Sequence, residues 1–401
     1  MSTANQEGHQ IADVKTPVVS LDKHGNAKTG LKQELAHYKH QQDESKAETR
    51  NQQDVYEGRQ DTVEGTSAKG DPEEYNSDLS PWNWWNNARI LAAGTALRNL
   101  ADAVSVPYHY RRYSNDRYSV YLTDLGNDEA GTPIPSLRIL IYLPTKGRAE
   151  AVSGTVDDGE QMGKADYIKA PHHPFPAALN QSHALLRWVA DPSGLMNFLE
   201  TQGPPSAKTF IPMVDSTKIA LSGGSSGGNL AAALVVKALH SELPLPNNAR
   251  LVGLALLYAM LDISMPYQEK LSYVPDKSKV LPRWLTRLFL DGYLSDLRTP
   301  EKAHKLKDPY ISPGLCSTED LKRFPKTVVI TAENDYLCRE GEVFADRLEQ
   351  QAGFKVGETL FRHTFKGVGH GFDITPNASK EMEEARDAAW GMIAEAFDPE
   401  L

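Results

Sequence analysis

With 401 residues, 40 % of them hydrophobic and 24 % charged, the chain is long enough for one large α/β domain with attachments or for two to three average domains. Forty-three Lys and Arg against 53 Asp and Glu leave a formal charge of −10, which argues against nucleic acid and against an anionic membrane surface, since both call for basic patches. No run of about twenty apolar residues could span a bilayer, Met1–Ser20 lacks a basic-then-apolar signal pattern, and two cysteines, Cys316 and Cys338, are too few for a disulfide scaffold; a soluble, cytoplasmic protein is the expectation.

Residues 1–80 contain no Phe, Trp or Cys, yet hold eight of the fourteen glutamines. Their short apolar patches, such as Val14–Val19, are isolated by polar residues and bury too little surface to offset ordering entropy. A disordered polar tail is expected there, with a globular domain over 81–401. That domain opens on an aromatic knot, Trp82, Trp84 and Trp85, and an amphipathic helix over Ile90–Val104. Strands are expected at Tyr118–Leu122 and Leu137–Leu143, the second ended by Pro144. Phe175–Val189 reads as a helix with Leu179, Leu185, Leu186 and Val189 on one face. A strand at Lys218–Ser222 leads into a helix from Gly227 to His240. Leu251–Met260 is apolar almost throughout, the pattern of a strand buried on both faces. Lys326–Thr331 is a further strand, Glu340–Gln351 a helix stopped by Gly353, and Glu358–Phe365 another strand. Met382, Ala385, Ala389, Met392 and Ile393 mark a closing helix. Strands alternating with helices mean an α/β fold whose mostly parallel sheet is covered on both faces. In such sheets reactive residues gather at the carboxyl ends of the strands.

The strongest local signal is Leu221-Ser222-Gly223-Gly224-Ser225-Ser226-Gly227-Gly228-Asn229, set between a strand and a helix. It contains G-x-S-x-G in two registers, with either Ser225 or Ser226 at the centre. A sharp strand-to-helix turn of this kind exposes a serine, and the following helix sets a partial positive charge beside a developing oxyanion. A serine hydroxyl becomes a useful nucleophile only when a histidine takes its proton and a carboxylate orients that histidine. In chain order the acid and the histidine follow later strands. Asp335 follows Thr327–Ile330, with Glu333 as the rival acid, and His370 lies in Gly369-His370-Gly371-Phe372 after the last strand.

These motifs resemble the hormone-sensitive-lipase-like branch of the α/β-hydrolases, the fold-3 esterases. The branch's G-D-S-A-G-G-N is similar to Gly223–Asn229 and sets the register on Ser225. Its D-Y-R-L-A-P-E-H-P-F-P-A-A-L is similar to Asp166–Leu179, its S-P to Ser312-Pro313, its D-P-L to Asp335-Tyr336-Leu337 and its H-G-F to His370-Gly371-Phe372. The resemblance covers roughly residues 130–400. It implies hydrolysis of short- to medium-chain carboxylic esters through Ser225, His370 and Asp335. Ser226 N–H would contribute to an oxyanion hole; a small-molecule ester is the partner, and neither cofactor nor metal is needed. It also implies helical cap elements at about 81–115 and 266–305, the second including Trp284, Leu285 and Phe289.

Two departures stand out. Gly224 occupies the place of the branch's acidic residue. The H-G-G-G loop, whose N–H groups form most of the oxyanion hole in the branch, occurs nowhere in this sequence. Between Leu143 and Asp166 only Pro144–Ala165 remain, too few residues for a strand, the glycine loop, a helix and a second strand. Two central strands are therefore expected to be missing, leaving a split or rearranged sheet and impaired activity, with Gly163 as a substitute donor. An internal deletion at a splice boundary would remove one contiguous block in this way. A catalytically silent binding protein is the alternative; gibberellin receptors of the same branch lose the histidine, whereas His370 is present. His172 and His173 sit in a proline-rich turn without partner ligands, and Cys338 is expected to be a buried thiol.

Overall fold

A computed structural model describes residues 117–122, 125–128, 131–142, 163–203, 208, 211–297, 300–375 and 378–397. The expected polar tail, its boundary at residue 80, Trp82, Trp84, Trp85 and the Ile90–Val104 helix lie outside these residues. The described elements run β1 (Arg117–Leu122), β2 (Leu137–Tyr142), β3 (Gly163–Asp166), α1 (Ala177–Ala190), α2 (Asn197–Thr201), β4 (Lys218–Gly224) and α3 (Ser226–His240). They continue through β5 (Arg250–Leu257), α4 (Tyr267–Ser272), α5 (Arg283–Leu294), α6 (Thr318–Leu321), β6 (Lys326–Asn334), α7 (Cys338–Gln350), β7 (Leu360–Gly369) and α8 (Lys380–Phe397).

Strands β4, β5, β6 and β7 form a parallel sheet in that order. Alternation along its central strands explains why it is covered twice, since successive side chains point to opposite faces. Leu254 and Leu256 of β5, with Val329 of β6, share a cluster with Val235 and Val236 of α3 and Phe344 and Leu348 of α7. Their neighbours Ala255, Leu257, Val328 and Ile330 face the other way, toward Ala385, Ala389 and Ala396 of α8. Leu254 and Leu256 are fully buried, and truncating either to Ala is expected to cost about 2–5 kcal/mol. Buried Ala231 and Ala232 let α3 lie close against the sheet, while buried Ala233 packs with Leu179 and Leu186 of α1.

Strands β1, β2 and β3 form a second, antiparallel sheet. Here one expectation is corrected. Of the two central strands expected to be missing, a strand does form at Gly163–Asp166, pairing with β2 so that Ile141 faces Gly163 and Arg138 faces Asp166. Among the described residues no strand joins β3 to β4, and the described strands fall into two sheets. The four leucine and valine positions of α1 also divide rather than share one face. Leu179 and Leu186, seven residues apart and thus on one stripe, pack with Leu230, Ala233 and Leu234 of α3. Leu185 and Val189 pack instead with Leu137, Leu195 and Leu199 beneath the antiparallel sheet. Gln181, fully buried, adds polar ties: its Nε2 donates to the carbonyls of Pro135 (3.0 Å) and Ser136 (3.1 Å), and its Oε1 accepts from Ile168 N–H at 2.8 Å.

Strand β7 starts two residues later than expected and runs on to Gly369, because Lys355–Thr359 turn back on the Lys355 carbonyl and Asn334 pairs with Gly369. Helix α7 ends ahead of Gly353, whose φ of +78° only glycine adopts without strain. No described helix is long and apolar enough to cross a membrane.

Candidate active site

Ser225 stands between β4 and α3 with φ +55° and ψ −122°. A positive φ at a non-glycine residue is strained, and the surroundings must over-determine it. They do so through backbone bonds: Ser225 N–H donates to Leu257 O at the end of β5 (3.0 Å), and its carbonyl accepts from Asn229 N (3.1 Å). The small neighbours are a spatial requirement. A Cβ at Gly223 would sit 2.3 Å from the Gly227 carbonyl group. A Cβ at Gly224 would lie 3.0 Å from the Tyr258 ring and hydroxyl, so Tyr258 takes the space that an acidic side chain at 224 would need. Ser226 opens α3, where first-turn N–H groups lack an intrahelical acceptor and carry the positive end of the helix dipole.

His370 follows β7. Its Nε2 lies 2.9 Å from Ser225 Oγ and its Nδ1 lies 2.6 Å from Asp335 Oδ2. Asp335, 1 % exposed, sits in the turn between β6 and α7. Its Oδ1 accepts from Leu337 N–H at 3.1 Å, so each carboxylate oxygen has a separate partner. The rival Glu333 turns elsewhere: its carboxylate accepts from Gly367 N–H (2.9 Å) and pairs with Lys366 (3.1 Å). Burial pushes the Glu333 carboxyl up, but these partners outweigh it and hold the group below its ordinary range.

Three side chains around this constellation were not legible as site residues. The Tyr258 ring lies 4.9 Å from the His370 ring, and its hydroxyl donates to Asp373 Oδ1. Both residues are buried. Burial, reinforced by Asp373, pushes the Tyr258 hydroxyl well above its ordinary pKa, and burial also raises the Asp373 carboxyl. Asn229, 2 % exposed, donates through Nδ2 to the carbonyls of Met260 and Ile311, each at 2.8 Å, and so anchors the elbow helix to two later loops. Only their places directly after a strand or a motif hint at Tyr258 and Asp373. The expected second cap region contains α4 and α5, and it is pinned beside the site. Asn334 Oδ1 accepts from Asp276 N–H (3.1 Å), and Lys279 Nζ donates to Gly367 O (2.8 Å). Trp284 and Phe289 of α5 are largely exposed, while Ser312 ties Ile263 N–H to Leu306 O.

Gly163 lies in the β3 ladder opposite Ile141, in the sheet that does not contain Ser225. That position gives no support to it as a substitute oxyanion donor. His172 and His173 are exposed in the turn before α1. Burial pushes the Cys316 thiol up to about 12 and raises the Cys338 thiol as well, which disfavours the reactive thiolate at either position.

A family model for the alpha/beta hydrolase fold matches residues 162–374. Carboxylesterase NlhH of Mycobacterium tuberculosis is 31 % identical over 185 residues, covering 46 % of this chain and 49 % of the relative. Probable carboxylesterase 13 of Arabidopsis thaliana is 27 % identical over 226 residues, covering 54 % and 62 %. The chain thus spans about half to three-fifths of the length of these relatives. Among solved structures, an esterase of Pyrobaculum calidifontis aligns with a TM-score of 0.53 at 22 % identity, covering 79 % of this chain and 98 % of that one. A bacterial heroin esterase aligns with a TM-score of 0.53 at 22 % identity, covering 81 % and 97 %. These two likenesses speak to the fold.

Proposed function

The chain belongs to the α/β-hydrolase fold family, in its hormone-sensitive-lipase-like branch, and on that premise we propose that it hydrolyses carboxylic esters with Ser225 as nucleophile, His370 as general base and acid, and Asp335 as orienting carboxylate. The observation that supports this reading is the pair of contacts at His370, 2.9 Å to Ser225 Oγ on one side and 2.6 Å to Asp335 Oδ2 on the other.

The chemistry follows from that order. With Nδ1–H donated to Asp335, the lone pair of His370 Nε2 faces the Ser225 hydroxyl. Oγ attacks the ester carbonyl carbon as its proton passes to Nε2, and the C=O π bond becomes an oxyanion. The tetrahedral intermediate collapses by breaking the C–O bond to the alcohol, which leaves with the proton from Nε2. The acyl group stays on Ser225. Water then gives a proton to Nε2 and attacks the acyl carbon, and the collapse of the second intermediate frees the acid and returns the proton to Oγ. Asp335 stabilises the imidazolium in both steps.

The oxyanion needs donors, and Ser226 N–H at the start of α3 supplies one. An oxyanion donor is worth about 2.7–4 kcal/mol, or 10²–10³ in rate. With no H-G-G-G string in the sequence, turnover well below that of an enzyme with the complete hole is expected. Carboxylic esters as the substrate class accord with the names of the carboxylesterase relatives, and a short to medium acyl chain is what the family resemblance implies. A fluorophosphonate probe and p-nitrophenyl butyrate test it. Covalent labelling of Ser225 with measurable turnover, both lost in S225A, is expected. A cooperatively melting protein that shows neither would favour a silent binding protein instead.

A further inference from the structure

Tyr258 fills the space between the two turns that carry Ser225 and His370. It directly follows β5, and its side chain meets both turns. A Cβ at Gly224, the residue before Ser225, would lie 3.0 Å from the Tyr258 ring and hydroxyl. The ring centroid lies 4.9 Å from that of His370, at an interplanar angle of 59°, and 5.8 Å from that of Phe372, edge-on at 72°. The hydroxyl donates to Asp373 Oδ1, three residues past His370.

This side chain is itself firmly held. Tyr258 N–H donates to Ile330 O at 2.6 Å. Its φ is +36°, a conformation that a bulky residue keeps only where its surroundings impose it. Tyr258 is 3 % and Asp373 9 % exposed, so water competes little for the bond between them. The turn after His370 also closes on itself, with Ile374 N–H (3.1 Å) and Thr375 Oγ1 (2.8 Å) both donating to Gly371 O. Fixing Asp373 therefore fixes the turn that carries His370.

Asp335 does not supply this restraint. It holds the imidazole at Nδ1, from the end of β6, and a ring held at one atom can pivot there and carry Nε2 away from Ser225 Oγ. A wall against the ring and a tie on its turn oppose that swing from the β5 side. We propose that Tyr258, anchored on Asp373, is a positioning residue that sets the separation between Ser225 Oγ and His370 Nε2. Its effect on turnover rests on the ester-hydrolysis reading, whereas the placement of the imidazole does not.

Two readouts test it. The first is kcat and KM for p-nitrophenyl butyrate. Tyr258→Phe removes the donor and Asp373→Leu the acceptor, whereas Asp373→Asn keeps an oxygen for the phenol. Y258F and D373L are expected to lose about tenfold or more in kcat with KM moved less than about threefold, because a displaced base is felt in the transition state. D373N should recover most of what D373L loses. Y258F/D373N separates placement from stability: it should regain much of the stability lost in Y258F, yet its kcat should stay about tenfold below that of D373N. Should Y258F/D373N not melt cooperatively, D373L against D373N carries the same comparison. The second readout is the proton NMR resonance of His370 Nδ1–H, identified by its loss in H370A and readable with or without turnover. It should be sharp in the unaltered chain and in D373N, and broadened or absent in folded Y258F/D373N. A resonance equally sharp in Y258F/D373N, or a kcat within about threefold of D373N, would overturn the inference. A resonance that responds as expected in a chain without turnover would uphold the placement and remove the enzyme; turnover with neither response would do the reverse.

Discussion

Replacing Asp335 with Asn probes the candidate site through one hydrogen atom. The two carboxylate oxygens have different partners: Oδ1 accepts from Leu337 N–H at 3.1 Å and Oδ2 faces His370 Nδ1 at 2.6 Å. An amide here must keep its oxygen toward the backbone N–H, since an NH₂ group facing that donor would leave two donors opposed in a buried place. Its NH₂ therefore faces His370 and donates to Nδ1. That fixes the imidazole as the Nε2–H tautomer and points a proton, not a lone pair, at Ser225 Oγ. The general base is lost although every heavy atom stays in place. The expected result is a fall in kcat of about 10⁴, equivalent to about 5.5 kcal/mol of barrier. Stability should move by less than about 1 kcal/mol, because the hydrogen-bond count is kept. Hydrolysis of p-nitrophenyl butyrate with active-site titration measures the first, and a urea melt the second. Activity of D335N within about tenfold of the unaltered chain would refute the reasoning, as would an equally deep loss in E333Q.

The other expectations concern the scaffold. Gly223→Ala places a methyl 2.3 Å from the Gly227 carbonyl group and should destabilise by about 3 kcal/mol or leave the protein insoluble. Gly227→Ala meets nothing within 4 Å and should be neutral or raise the melting temperature, since Ala is favoured over Gly in a helix by about 1 kcal/mol. Lys270→Met leaves the Glu340 carboxylate buried without its counterion and should cost about 3–5 kcal/mol in a urea melt at alkaline pH, whereas K270M/E340L should recover most of that. Burial pushes the Glu340 carboxyl up to about 7, against the pull of Lys270. The folded chain therefore holds this proton to higher pH than the unfolded chain, which binds fewer protons between about pH 4.5 and 7. This group's contribution to stability is present below that window and declines as pH rises through it; urea melts across the window should show that slope in the unaltered chain and lose it in E340Q. Tyr258→Phe removes the donor to Asp373 and should cost about 1–3 kcal/mol, with much of the loss recovered in Y258F/D373N.

What could be read from the sequence was what local chemistry fixes. Leu251–Met260 reads as a strand buried on both faces because its apolar run leaves no polar side, and Leu254–Leu257 are buried accordingly. Gly223 and Ser225 read as a strained turn because a side chain at 223 would run into the Gly227 carbonyl group. Asp335 was separable from Glu333 by its motif, whereas the physical distinction, Glu333 reaching Gly367 and Lys366, is tertiary. The strand at Gly163–Asp166 was missed because four short residues carry no period of their own; its partner β2 creates it. The Lys270–Glu340 pair spans 70 residues, and Tyr258–Asp373 spans 115, so nothing nearby in the chain announces either. Leu179, Leu185, Leu186 and Val189 misled as a single face because a helix wedged between two clusters is apolar on two sides.

That wedge has a consequence for how the molecule comes apart. Helix α1 presses Leu179 and Leu186 against α3, holds Leu185 and Val189 under the antiparallel sheet, and through Gln181 ties the chain entering β2 to the chain leaving β3. It works as a rivet between two plates. While it is seated, amide protons on β2 and on β5 should exchange through one shared opening. Should Gln181 or Leu186 be lost, the β1–β3 plate would begin to breathe on its own clock, and the serine turn, fixed to the other plate, would hold its shape while its neighbour frays.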